Sequence, residues 1–179
     1  MEYSMNKYRN ALEVKGVWDI HLVDRYGKVI DARENVINTV TYVGMAAIVT
    51  ALVNETAFFP QTAGCFLAIG IGTTAAAASQ TTLVTEVTVA GQITSYARVT
   101  GTKSIQAGAN CNNVLQVVGT FAADNPNIGD TSTVAITEAG VFSDDGTPAG
   151  TMLNRVKFDA IAKGDQDSLQ ITMKITVGS

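Results

Sequence analysis

Val14-Lys15-Gly16-Val17-Trp18-Asp19-Ile20-His21-Leu22-Val23 is the stretch that decides the fold class. Val14, Gly16, Trp18, Ile20 and Leu22 fall on one side of an extended chain, and Lys15, Val17, Asp19, His21 and Val23 on the other. Side chains alternate across a strand with a period of two, so this reads as a strand with one buried face. Asp24-Arg25-Tyr26-Gly27-Lys28 supplies turn chemistry, and residues 29–36 alternate again. Residues 14–36 are therefore predicted as one long β-hairpin.

Working outward, the period changes at residue 40. Val40, Val43, Ala47 and Ala51 recur at helical spacing, Ile48 and Leu52 widen the stripe, and Asn38 or Thr39 can cap its start. One helix is predicted at about 40–53, apolar on most sides, lying under a sheet or against a neighbouring subunit. Strand patterns follow at 66–71, 83–87, 93–103, 113–122, 132–142, 150–158 and 168–177, separated by Gly/Asn/Asp turns. The pattern predicts a mainly β protein: an antiparallel, jelly-roll-like β-sandwich with one short helix near the N-terminus. No strand–helix–strand alternation supports a doubly wound fold. Residues 1–12 are polar without a period and read as an N-terminal arm on a single domain, 13–179.

Composition narrows the chemistry. In 179 residues there are 46% hydrophobic and 16% charged, so a core can form and disorder of the whole chain is excluded. A net charge of -4 and twelve scattered Lys and Arg argue against nucleic acid as a partner. The longest apolar stretch, near 40–53, is too short for a membrane span and no secretory signal is visible. Cys65 and Cys111 form no disulfide framework, which points to a reducing cytosol as the site of synthesis. Cys65 is expected to pack as a small hydrophobe, and Cys111 to be a free loop thiol.

Each motif that could carry a reaction has a structural reading that explains it better. Gly70-Ile71-Gly72 follows a strand, but a dinucleotide fingerprint wants a third glycine opening a helix, and position 75 is Ala75. Two glycines ending a buried strand is the better account. Asp144-Asp145-Gly146 and Gly164-Asp165-Gln166-Asp167 lack the ligand spacing and closing Glu of an EF-hand loop, and read as hairpin turns. His21 has no partner in sequence, and no G-x-S-x-G elbow is present. Glu138 is one acid in an otherwise apolar strand, and a structural ion pair with Arg98 or Arg155 is preferred to a general acid. No catalytic, cofactor-binding or metal-binding residue is predicted.

Three stretches taken in order resemble small virion structural proteins of tailed bacteriophages. They are Gly16-Val17-Trp18-Asp19-Ile20-His21-Leu22-Val23-Asp24 with Asn35-Val36-Ile37-Asn38-Thr39, then Ala68-Ile69-Gly70-Ile71-Gly72-Thr73-Thr74-Ala75-Ala76, then Ile136-Thr137-Glu138-Ala139-Gly140-Val141-Phe142. Gly150-Thr151-Met152-Leu153-Asn154-Arg155-Val156 and Asp167-Ser168-Leu169-Gln170-Ile171-Thr172 complete the last of them. The resemblance implies a virion component made in the host cytoplasm and present in many copies. It points to a capsid decoration (cement) protein that binds the major capsid protein shell and itself, as a homodimer or homotrimer, without catalytic residues, cofactor, nucleic acid or membrane. Tyr3, Lys7, Tyr8 and Arg9 of the arm would lace onto a neighbour. A tail-fibre, baseplate or receptor-binding module is the alternative from the same source. A carbohydrate-binding β-sandwich is the alternative from another class, since a fold does not fix a function.

Overall fold

The computed structural model describes residues 14–54, 65–107, 113–129, 132–146 and 149–177. The arm at 1–12 with Tyr3, Lys7, Tyr8 and Arg9, the loop with Phe58-Phe59-Pro60, and Cys111 lie outside the described residues. The opening alternation forms β1 (Val14–Val23) and β2 (Val29–Ile37), an antiparallel hairpin. Asn38 carries the chain straight into β3 (Thr39–Val40), then α1 (Tyr42–Asn54) follows. The remaining strands are β4 (Cys65–Gly70), β5 (Val99–Gln106), β6 (Val114–Phe121), β7 (Thr133–Phe142), β8 (Met152–Gly164) and β9 (Ser168–Val177).

All pairings are antiparallel, and the strands form one sheet in the order β2-β1-β9-β6-β5-β4-β7-β8-β3. β5 bonds to β6 with one edge and to β4 with the other, joining the halves into a sheet that curls nearly closed. Closure comes from β2 and β3 acting as one strand: Ile37 still faces Val17 of β1, whereas Thr39 and Val40 face Arg155 and Asn154 of β8. Beyond that junction Arg33 spans the two edges, its Nε donating to the Asp159 carbonyl at 3.1 Å and its Nη2 to that of Ala160 at 2.8 Å.

The core is the inward half of each alternating strand. Trp18 and Ile20 of β1, Leu67 of β4, Phe121 of β6, Val141 of β7 and Ile171 of β9 are all fully buried in it. Such side chains are each worth about 1.5–3 kcal/mol on burial, which is why period-two patterning dictates the sheet. The helix starts only after three strands, so it is an insertion behind the opening hairpin rather than an N-terminal element. Its cap is Thr41, not Asn38 or Thr39, which are committed to the strand junction. Thr41 Oγ1 accepts from the Gly44 N–H at 3.0 Å and donates to the Met152 carbonyl at 2.6 Å. A side chain at Gly44 would collide with the Leu153 backbone, so glycine lets the helix lie directly on β8.

The 83–87 pattern is not a full strand. Where β5 diverges from β4, the Ile71 N–H donates to the Thr85 carbonyl at 2.8 Å and the Val87 N–H to the Ile69 carbonyl at 3.0 Å. Residues 85–87 thus extend the edge of β4 by a single bridge, Gly70 to Glu86.

Candidate functional site

The polar chemistry of the molecule concentrates around the irregular segment 71–98, where Leu83 packs on Ala68, Phe142 and Met152 outside β4, β7 and β8 while Val87, Ile93 and Tyr96 turn toward the main core. Glu138 and Arg155 sit side by side there because Gly140, between them in register, faces Arg155 across the β7–β8 pair. Arg155 Nε donates to Glu138 Oε2 at 2.6 Å, and both side chains are fully buried. The carboxylate also accepts backbone N–H bonds from Gly72 at 3.0 Å, Thr85 at 2.8 Å and Val84 at 3.1 Å. Arg155 spends its remaining donors on Gln80 Oε1 and the Thr74 carbonyl, each at 2.9 Å. The carboxylate accepts four hydrogen bonds and the guanidinium donates through all three of its nitrogens, so the pair offsets much of its own desolvation and the carboxylate is committed to the protein.

This lock explains the two glycines of Gly70-Ile71-Gly72. A Cβ on Gly70 would stand 2.5 Å from the Thr85 carbonyl and 2.6 Å from Glu138 Oε1, and one on Gly72 would meet the same carboxylate. The glycines clear a passage for Glu138 to reach the far side of the segment. They cradle a carboxylate of the protein's own.

Arg98 does not join Glu138. It makes a second lock with Glu86, Nε to Oε1 and Nη2 to Oε2, both at 2.8 Å, in the bidentate geometry that suits a planar fork. Its Nη1 donates to the Asp144 and Ala149 carbonyls, and its guanidinium lies 3.9 Å over the Phe142 ring. The sequence does not single out Glu86 as the partner: its stretch reads as an ordinary strand at 83–87, and only the single bridge to Gly70 turns it toward Arg98. Tyr96 closes the group: its hydroxyl bonds to Glu86 Oε1 at 3.3 Å and accepts from the Ile69 N–H at 3.1 Å. Burial, and then the neighbouring Glu86 carboxylate, push its phenol well above its ordinary range, so it stays protonated.

The remaining candidates resolve into structural contacts. The Asp144 carboxylate accepts the Gly146 N–H at 2.8 Å, Asp165 that of Ile128 at 2.6 Å, and Asp167 that of Gly164 at 3.3 Å. The Asp144 and Asp167 bonds are the turn roles expected of the acidic clusters, whereas buried Asp165 reaches across to the distant segment at Ile128. Buried Lys163 donates to the Gly164 carbonyl beside them, and desolvation lowers its pKa against the pull of Asp165, Asp167 and Asp124. Among the described residues no group of three or more His, Cys, Asp or Glu is placed to hold a metal ion. His21 meets Glu34 in an exposed contact of 3.0 Å. Burial raises the Cys65 thiol from 9.0 to about 12, so at neutral pH it is a packed hydrophobe rather than a nucleophile.

Two surfaces stand apart from these locks. One is the outward face of α1, where Tyr42, Met45 and Val49 are exposed at helical spacing beside Ile37, which is 82% exposed. No charged residue occurs anywhere in Tyr42–Asn54. The other is a groove of about 470 Å³ on the outer face of β1, β9, β6 and β5. Asp19, Asn35, Gln106, Gln116, Lys174 and Thr176 line it, with Lys174 Nζ 3.7 Å from Asp19. No helix among the described residues is long and apolar enough to cross a membrane.

Comparison with known proteins adds no relative: no family model, no curated protein and no solved structure matches the chain.

Proposed function

We propose that this chain is a non-enzymatic structural protein of a tailed-bacteriophage virion, a capsid decoration protein that binds and stabilises the major capsid protein shell as a homodimer or homotrimer. We further read the curled sheet as a jelly-roll-like sandwich, the kind of body such a component needs. The observation that carries the reading is the uncharged, apolar face of α1, exposed yet pinned rigidly to β8 through Thr41 and Gly44. Exposed apolar surface held in a fixed shape is what an adhesion surface requires. A helix of thirteen residues is only about 20 Å long. Its face is therefore a fraction of a standard interface of roughly 800 Å² per partner, and many copies on one shell would supply the rest by avidity.

The test is to mix purified protein with expanded heads that lack it and measure both binding and the temperature at which heads burst. Binding in hundreds of copies with a raised bursting temperature is expected. A Met45→Asp/Val49→Asp variant is expected to keep its own unfolding midpoint and lose head binding. Unchanged binding by that variant, or no binding by the parent, would overturn the reading. Attachment to tails in a handful of copies would favour the tail module.

The groove favours a second reading, a carbohydrate-binding role. Carboxamide, carboxylate and ammonium groups on one strand face are the chemistry that recognises hydroxyl groups, and 470 Å³ falls in the ordinary range of ligand sites. A glycan array probed with the parent and with Gln116→Ala decides it, since a real site predicts a signal that the variant loses.

A further inference from the structure

The seam where the sheet closes holds polar groups that the protein itself leaves without partners. Trp18 Nε1, Asn38 Oδ1 and Nδ2, and Asn154 Oδ1 and Nδ2 are buried and make no hydrogen bond to any atom of the described residues. Trp18 and Asn154 are each 0% exposed.

Register brings the three side chains together. Trp18 stands opposite Val36, Asn154 stands opposite Val40, and Asn38 is the residue midway between Val36 and Val40 on the same continuous strand. Alternation places residues 36, 38 and 40 on one face. Asn38 donates its backbone N–H to the Gly16 carbonyl at 3.1 Å, and its carboxamide fills the space a side chain at Gly16 would take. Diagonal neighbours in an antiparallel pair are roughly 7–8 Å apart, within reach of an indole and of carboxamides. Trp18 and Asn154 are both diagonal to Asn38, one on β1 and the other on β8.

A dry interior does not tolerate such groups, because each would forfeit the hydrogen bonds it makes to water when the chain is unfolded. What they select is defined by their chemistry. An indole only donates, while a carboxamide both donates and accepts, and none of the three carries charge. An ion finds no counter-charge among them. A small neutral molecule that donates and accepts at once matches all three.

We infer that the junction of β1, β3 and β8 is a binding site for internal water, held by Trp18, Asn38 and Asn154 as part of the closed barrel. The water substitutes for the ladder that β3 is too short to continue, and it ties the two sheet edges through side chains instead of backbone.

Trp18 is the sole tryptophan, so its indole proton is an unambiguous reporter. In the intact ¹⁵N-labelled protein, that proton is expected to show a direct nuclear Overhauser effect to water of the sign given by molecules bound longer than the protein tumbles. The Asn154→Leu variant, matched in size, is expected to abolish that signal and to lower the denaturation midpoint. Absence of the water signal in the parent overturns the inference, as does an Asn154→Leu variant that raises the midpoint. Should the variant fail to fold, the measurement on the parent decides alone.

Discussion

The outer face of β4, β7 and β8 and the outer face of β1, β9 and β6 are built by the same alternation and end differently. On the first, the irregular segment that follows β4 covers the strands, so Glu138 and Arg155 are fully buried, the carboxylate accepting four hydrogen bonds and the guanidinium donating through all three nitrogens. On the second nothing described covers Asp19, Gln116 and Lys174, and the Lys174–Asp19 ion pair is long and partly solvated at 3.7 Å. Charge is structural where it is covered and nearly neutral for stability where it is wet. The difference lies in desolvation, which makes a buried charge costly to strand and an exposed one cheap to lose.

Substitutions turn that contrast into numbers. Glu138→Ala strands a buried guanidinium and three backbone N–H groups, and should cost about 3–5 kcal/mol in urea denaturation. Hydrogen exchange at Gly72, Val84 and Thr85 should rise with it. A loss under about 1 kcal/mol would erase the distinction between the faces. Arg98→Met should cost less, about 1–3 kcal/mol, because the Glu86 side chain keeps 9% exposure and the Tyr96 hydroxyl remains beside it. Gly44→Val tests the covered side from the helix: about 1–3 kcal/mol is expected, with amide protection lost across α1 and retained in β7 and β8. On the open face Asp19→Ala should change the midpoint by no more than about 1 kcal/mol.

The last prediction is confined to alkaline pH and concerns Cys65, whose thiol is raised by burial to about 12. The native thiol holds its proton more tightly than the unfolded one. Its contribution to stability is therefore complete below pH 9 and lost as the pH climbs toward 12. Comparing the parent with Cys65→Ala across that window isolates the slope. Peptide mapping after alkylation at pH 8 should find Cys65 unmodified in the native protein.

Much of the fold was legible because burial imposes a period. Residues 14–23 and 168–177 alternate without interruption, and the structure pairs them residue by residue, from Val14 with Val177 to Val23 with Ser168. The helix was legible for the same reason, though its cap moved to Thr41 once Asn38 and Thr39 were drawn into the sheet. The buried acid in 132–142 could be singled out because a lone Glu among apolar residues needs a counter-charge. Which arginine answers it could not be read, since Arg98 and Arg155 have similar strand contexts. The strand pattern at 83–87 was legible, but not that it would contribute one bridge and otherwise serve as backbone donor to a carboxylate.

Sequence alone determined that this chain is β-rich, where most of its strands run, and that one uncharged helix interrupts them, because alternation and helical spacing are local consequences of hiding apolar side chains from water. Only the tertiary structure decided that the strands curl into a single nearly closed sheet, that Arg155 pairs with Glu138 and Arg98 with Glu86, and that Trp18, Asn38 and Asn154 fall on one face of neighbouring strands at the seam. Those outcomes depend on which strands and loops become neighbours in space, and such pairing leaves no periodic trace in the sequence of either partner.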